Sequence, residues 1–151
     1  MNMDYEYNLN RHVYLLKKID LSQQEKFELL DYDIYVKIHL LWEMRFELQS
    51  LFEKFFDKTI SGEDFSDAIF GMRLRLKKKI DQFRSDLVSG KITNFYPTSN
   101  STDLSTLLSG LFFATDEWEE DEFELPEFHT FVENQFLIFQ QILLNEEKIV
   151  G

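Results

Sequence analysis

Apolar positions recur along this chain at three- and four-residue steps, the period of an α-helix with one buried face, and no segment alternates long enough to read as a strand. Residues 9–19, with His12, Val13, Leu15, Leu16 and Ile19, predict a short first helix. Ser22-Gln-Gln-Glu25 has the pattern of a capping box, in which a serine hydroxyl and a glutamate three residues on satisfy free backbone N–H groups at a helix start. From there Phe27, Leu30, Ile34, Ile38, Leu41, Leu48, Leu51 and Phe55 keep the period. Asp31-Tyr-Asp33 is poor helix material and predicts a break there, making two helices of this stretch.

Thr59-Ile-Ser-Gly62 ends that stretch, and Ser61 is placed to cap the next helix. Phe65, Ile69, Met72, Leu76, Ile80, Phe83 and Leu87 form the most regular amphipathic stripe in the chain, closed by Ser89-Gly90. Residues 91–101 read as a loop, with Tyr96-Pro97 and a cluster of small polar side chains. A helix over residues 102–113 carries Leu104, Leu107, Leu108, Leu111 and Phe112. Pro126 suits the first turn of a last helix, which buries Phe128, Val132, Phe136, Phe139 and Leu143, joined by Phe131 and Ile142. The expected architecture is all-α: an antiparallel four-helix bundle over residues 41–151 with an N-terminal helical extension over residues 1–40 packed on it, one compact unit.

Composition narrows the function more than the fold. A formal net charge of -12 favours a basic partner and disfavours direct contact with nucleic acid or an anionic membrane. The absence of cysteine removes disulfides, thiolate metal sites and a cysteine nucleophile. The acidic start lacks the basic-then-apolar pattern of a secretory signal, and apolar runs such as residues 111–114 and 136–139 are too short to cross a bilayer. The expectation is a cytoplasmic protein, or one inside an organelle if organelle-encoded.

Catalytic and cofactor chemistry finds little support. Three histidines, His12, His39 and His129, have no nucleophile and acid near them in a recognisable motif, and packing or surface roles are expected of them. His129 and Glu133, like His39 and Glu43, stand four residues apart, yet the paired Glu-x-x-His motifs of a di-metal bundle are missing. The glycines at 62, 71, 90 and 110 form no phosphate-cradling loop. Asn100-Ser-Thr102 matches a glycosylation acceptor by chance, given no secretory signal. Arg73-Leu-Arg-Leu-Lys-Lys-Lys79 reads as one solvated helix face. No catalytic residue, metal or cofactor is expected, and the chain is not expected to be an enzyme.

One segment breaks the pattern. Residues 116–127 (DEWEEDEFELPE) hold eight carboxylates in twelve positions, with no basic residue, together with Trp118 and Phe123. The run is a solvated loop, or one docked on the basic stripe at Arg73, Lys77 and Arg84, or, without excluding that docking, it faces a cationic partner that relieves its self-repulsion. Aromatic anchors ringed by charge have the composition of a tight interface, with charge speeding encounter and rings supplying affinity.

Ile60-Ser-Gly-Glu-Asp-Phe65, opening a helix, resembles the helix start of the colicin D-type immunity proteins, the bacterial self-protective colicin-like family. Leu111-Phe-Phe-Ala-Thr-Asp-Glu-Trp118 is similar to that family's apolar segment running into an acidic turn with an aromatic, and the helix after Glu124-Leu-Pro-Glu127 has the matching place. The resemblance covers about residues 40–147; residues 1–40 have no counterpart, and the loop over 91–101 is longer. It implies a small helical bundle that inhibits a nuclease toxin by occupying its basic RNA-binding cleft. The partner-binding residues would be Asp116, Glu117, Glu119, Glu120, Asp121, Glu122 and Glu124, with Trp118 and Phe123 on apolar surface at the rim. The competing expectation is a non-catalytic structural or regulatory subunit of a larger bacterial, phage or organellar assembly, with the Phe-rich last helix and the N-terminal extension binding neighbours.

Overall fold

The computed structural model describes residues 6–95 and 102–150, with the backbone alone for 146–150. Among these residues every regular element is helical, in the order α1 (Leu9–Lys17), α2 (Gln23–Glu43), α3 (Arg45–Phe56), α4 (Gly62–Val88), α5 (Thr102–Glu117), a 3-10 turn (Glu120–Glu122) and α6 (Pro126–Val150). No described helix is long and apolar enough to cross a membrane. The part of the expected 91–101 loop beyond Phe95, with Asn100 and Ser101 of the acceptor motif, lies outside the described residues.

The helix starts follow the expected chemistry. The Ser22 hydroxyl accepts from the Glu25 N–H and the Glu25 carboxylate accepts from the Ser22 N–H. Ser61 and Asp64 form a second such box at the head of α4. Gly90, at φ 81°, takes the left-handed position that terminates α4. Pro126 opens α6.

Four expectations change. The break near Asp31 to Asp33 does not occur: α2 runs unbroken through it, and the chain bends at Met44, which caps both α2 and α3. Asp33 is tolerated in mid-helix because its carboxylate meets His12 of α1 and Arg84 of α4, so tertiary contacts override local propensity. The boundary at residue 40 falls inside α2, the helix that packs on both α4 and α5, so it separates no unit. The first helix ends at Lys17, leaving Ile19 in solvent, 94% exposed. Finally α5 does not stop at Phe113 but runs on to Glu117.

Helix α1 packs across α2 and α4, α3 packs on α4, and α5 lies between α2, α4 and α6. Phenylalanine builds much of the core. Phe52 of α3 sits with ring centroids 5.7 Å from Phe65 of α4 and 5.0 and 5.5 Å from Phe136 and Phe139 of α6. Phe52, Phe65, Phe128 and Phe139 are all but inaccessible to solvent. Each such ring buried contributes about 1.5–3 kcal/mol, and ring pairs at these separations add about 0.5–1.5 kcal/mol. Tying α3, α4 and α6 together this way fixes the end of the molecule where the acidic segment lies.

Candidate acidic binding surface

The acidic segment is pinned from beneath and open above. Asp116 and Glu117 are the last residues of α5. Trp118, half-buried, stands edge-on to Phe128 of α6 at 5.3 Å and near Phe131 at 6.1 Å. Phe123 is 8% exposed, its ring 5.1 Å from that of Phe128. Phe123 was expected at the rim of an interface; it lies instead in the core, where the ring ties the turn to α6. Between the two anchors the backbone makes one 3-10 turn, with the Glu122 carboxylate accepting from the Glu119 N–H at 2.9 Å.

A second tether comes from α4. The Glu124 carboxylate accepts from the Glu63 N–H at 2.9 Å, so it satisfies a free donor at the positive end of the α4 dipole. That approach demands a glycine beside it: a Cβ on Gly62 would overlap the Phe123 carbonyl oxygen. Only Gly62 lets the head of α4 and the acidic turn meet.

Among the described residues, Asp116 alone of the run's carboxylates forms an ion pair. Its partner is Arg73, but both side chains are about half exposed, where such a pair contributes little. Of the basic stripe expected to hold the run, Arg84 is engaged by Asp33, and Lys77 makes no ion pair among the described residues. Glu117, Glu119, Glu120 and Asp121 are exposed. Glu119, Asp121 and Glu122 each bring an oxygen within 4.8 Å of the others at the surface. Carboxylates in the last turn of α5 also face the negative end of its dipole, the unfavourable end for them.

Folding enlarges this face with two residues the run did not include. Glu63 and Asp67, one turn apart on α4, line a cleft of about 250 Å³ with Glu120 and the rings of Phe70, Trp118 and Phe123. Glu120 holds the Glu63 carboxyl above its ordinary pKa, because a protonated Glu63 can donate to the Glu120 carboxylate whereas an ionised one is repelled by it. The i,i+4 spacing of Glu63 and Asp67 was visible in the sequence; their proximity to residue 120 depends on the α4–turn docking.

The histidines fall into packing and surface positions. His12 is wholly buried: its Nδ1 lies 3.0 Å from the Tyr7 hydroxyl and its Nε2 3.0 Å from the Asp33 carboxylate, which Arg84 also engages. This network sews α1 to α2 and α4 and could not be read from spacing, because its members lie 21 and 51 residues apart. Burial, then Asp33, pushes the Tyr7 hydroxyl far up, so it stays protonated at neutral pH. His39 pairs with Glu43 at 3.1 Å, and exposed His129 packs on the rings of Phe55 and Phe56.

Comparison with protein-family models, with curated proteins and with solved structures finds no match to this chain.

Proposed function

We propose that this protein is a non-catalytic binder of a basic protein surface, acting through the acidic face made by the end of α5, the 3-10 turn and the first turns of α4. One observation carries the reading. Like charges are crowded there against the negative pole of α5, a Glu63–Glu120 contact is added, and Arg73 is the sole cation paired with the run among the described residues. An arrangement that works against the fold is retained most simply because a partner relieves it. The anchors beneath the turn hold those charges in place before the partner arrives, so little ordering is left for binding.

Under the immunity-protein resemblance the partner is a nuclease toxin and the face occupies its basic RNA-binding cleft. The cytoplasm is then the place of action, and α3, α4, α5 and α6 would supply the family's antiparallel four-helix bundle. That identity rests on the residues 60–65 and 111–118 motifs alone. The test is titration of the chain into RNA cleavage by a nuclease toxin of the colicin D type, alongside the variant Glu119→Lys/Glu120→Lys/Asp121→Lys. Inhibition is expected from the native chain and not from the variant, with association slowing as salt rises. Equal inhibition by both would remove the acidic face from the interface; none by either would remove that toxin class.

The subunit reading is favoured by a separate observation, a set of solvent-exposed apolar side chains on α5 and α6. Phe113 is 64% exposed and Leu137 59% exposed.

A further inference from the structure

Charged residues make up 29% of the chain, yet residues 104–115 and residues 134–145 contain none. These two windows lie in α5 and α6, which pack side by side, so together they form a face without charge. A groove of about 510 Å³ runs between them, floored by buried Leu107 and Ile142, with Asp103 at one end the single charged residue among its described lining. Ile138, in its wall, is about half exposed, and on the same two helices Phe113, Leu137 and Leu144 stand about half exposed or more. The polar lining is mostly amide, from Gln135, Gln141 and Asn145.

We infer that this face is a homodimer interface, in which α5 and α6 of one copy pack on α5 and α6 of a second about a twofold axis. The argument for a second copy is electrostatic. A chain of charge -12 repels itself, and an isologous contact sets the same patch of each copy against the other, so net charge on that patch meets like charge. Such a contact is tolerable only where the surface is neutral, as it is here. Side-chain amides suit it further, because each carries both donor and acceptor and can pair with an amide of the same patch on the other copy, whereas ionised carboxylates cannot pair with one another. Exposed leucine, isoleucine and phenylalanine then supply the apolar centre. The inference stands apart from the acidic face at the end of α5 and survives its failure.

Sedimentation velocity on the full chain, at high micromolar concentration and at low and high salt, provides the test. The expected result is a species of twice 18.2 kDa whose population grows with salt, because screening removes the self-repulsion. A head-to-tail contact between the acidic turn and the lysines of α4 would weaken with salt, and that trend overturns the inference. Gly110→Glu and Ile138→Glu should each leave a folded monomer. Nothing lies within 4 Å of a Cβ at Gly110, and Ile138 is half in solvent, so each position has open space beside it for the new side chain. A native chain that stays monomeric leaves the groove to some other protein and overturns the proposal, as does a dimer indifferent to both variants. Should either variant fail to fold, amide exchange of the native chain at two concentrations decides. Protection over residues 106–113 and 134–145 must rise with concentration, and no change there refutes the dimer.

Discussion

Replacing Gly62 by alanine probes the joint that holds the acidic turn. The new Cβ would occupy the space of the Phe123 carbonyl oxygen, which is backbone and cannot rotate away. Either the turn over residues 119–124 lifts or the first turn of α4 unwinds. In both cases Phe123 leaves its contact with Phe128, and the Glu63 N–H loses the Glu124 carboxylate. Exposing a phenylalanine ring costs about 1.5–3 kcal/mol, and losing a helix-start acceptor costs about 1 kcal/mol. Relaxation of the turn recovers part of this, so the net loss expected is about 2–4 kcal/mol. For a chain of this size that lowers Tm by roughly 5–15 °C. Urea unfolding followed by far-UV circular dichroism measures the loss directly. A Gly62→Ala protein within about 0.5 kcal/mol of the native one, the range of ordinary surface changes, would refute the close approach.

Glu63→Gln should stabilise the protein at neutral pH. A carboxyl held above its ordinary pKa binds its proton more tightly folded than unfolded, so it destabilises above that range and ceases to as pH falls through it. The gain should therefore be present at pH 7 and vanish below pH about 4, near the unfolded carboxyl value, in thermal melts across pH; a gain independent of pH would sink the Glu63–Glu120 contact. His12→Leu leaves the part-buried Tyr7 hydroxyl without its partner and should cost about 1–3 kcal/mol. Amide exchange over residues 9–17 should accelerate, and unaltered protection there would show that α1 is held by other contacts.

What could be read from the sequence is what short-range chemistry decides. Ser22 with Glu25, Ser61 with Asp64, the stripe from Phe65 to Leu87 and Pro126 each act within a few residues, and each gave its helix boundary. Asp31 to Asp33 misled for the converse reason: the partners of Asp33 come from α1 and α4, and no local rule contains them. The acidic segment was legible as a charge anomaly but not as a surface. Its enlargement by Glu63 and Asp67, and the withdrawal of Phe123 into the core, follow from a carbonyl resting against a glycine 61 positions earlier.

The chain has two tryptophans, and they sit in dissimilar surroundings. Trp42 lies at the joint of α2 and α3, with the Arg45 guanidinium 4.3 Å from its ring, while Trp118 lies between α6 and the charged turn. Trp42→Phe leaves a single tryptophan, seated at the rim of the acidic face. Anything that covers those carboxylates changes the polarity around that indole, so its emission colour becomes a label-free gauge of occupancy. The molecule thereby supplies a dye with which unknown ligands for it can be sought.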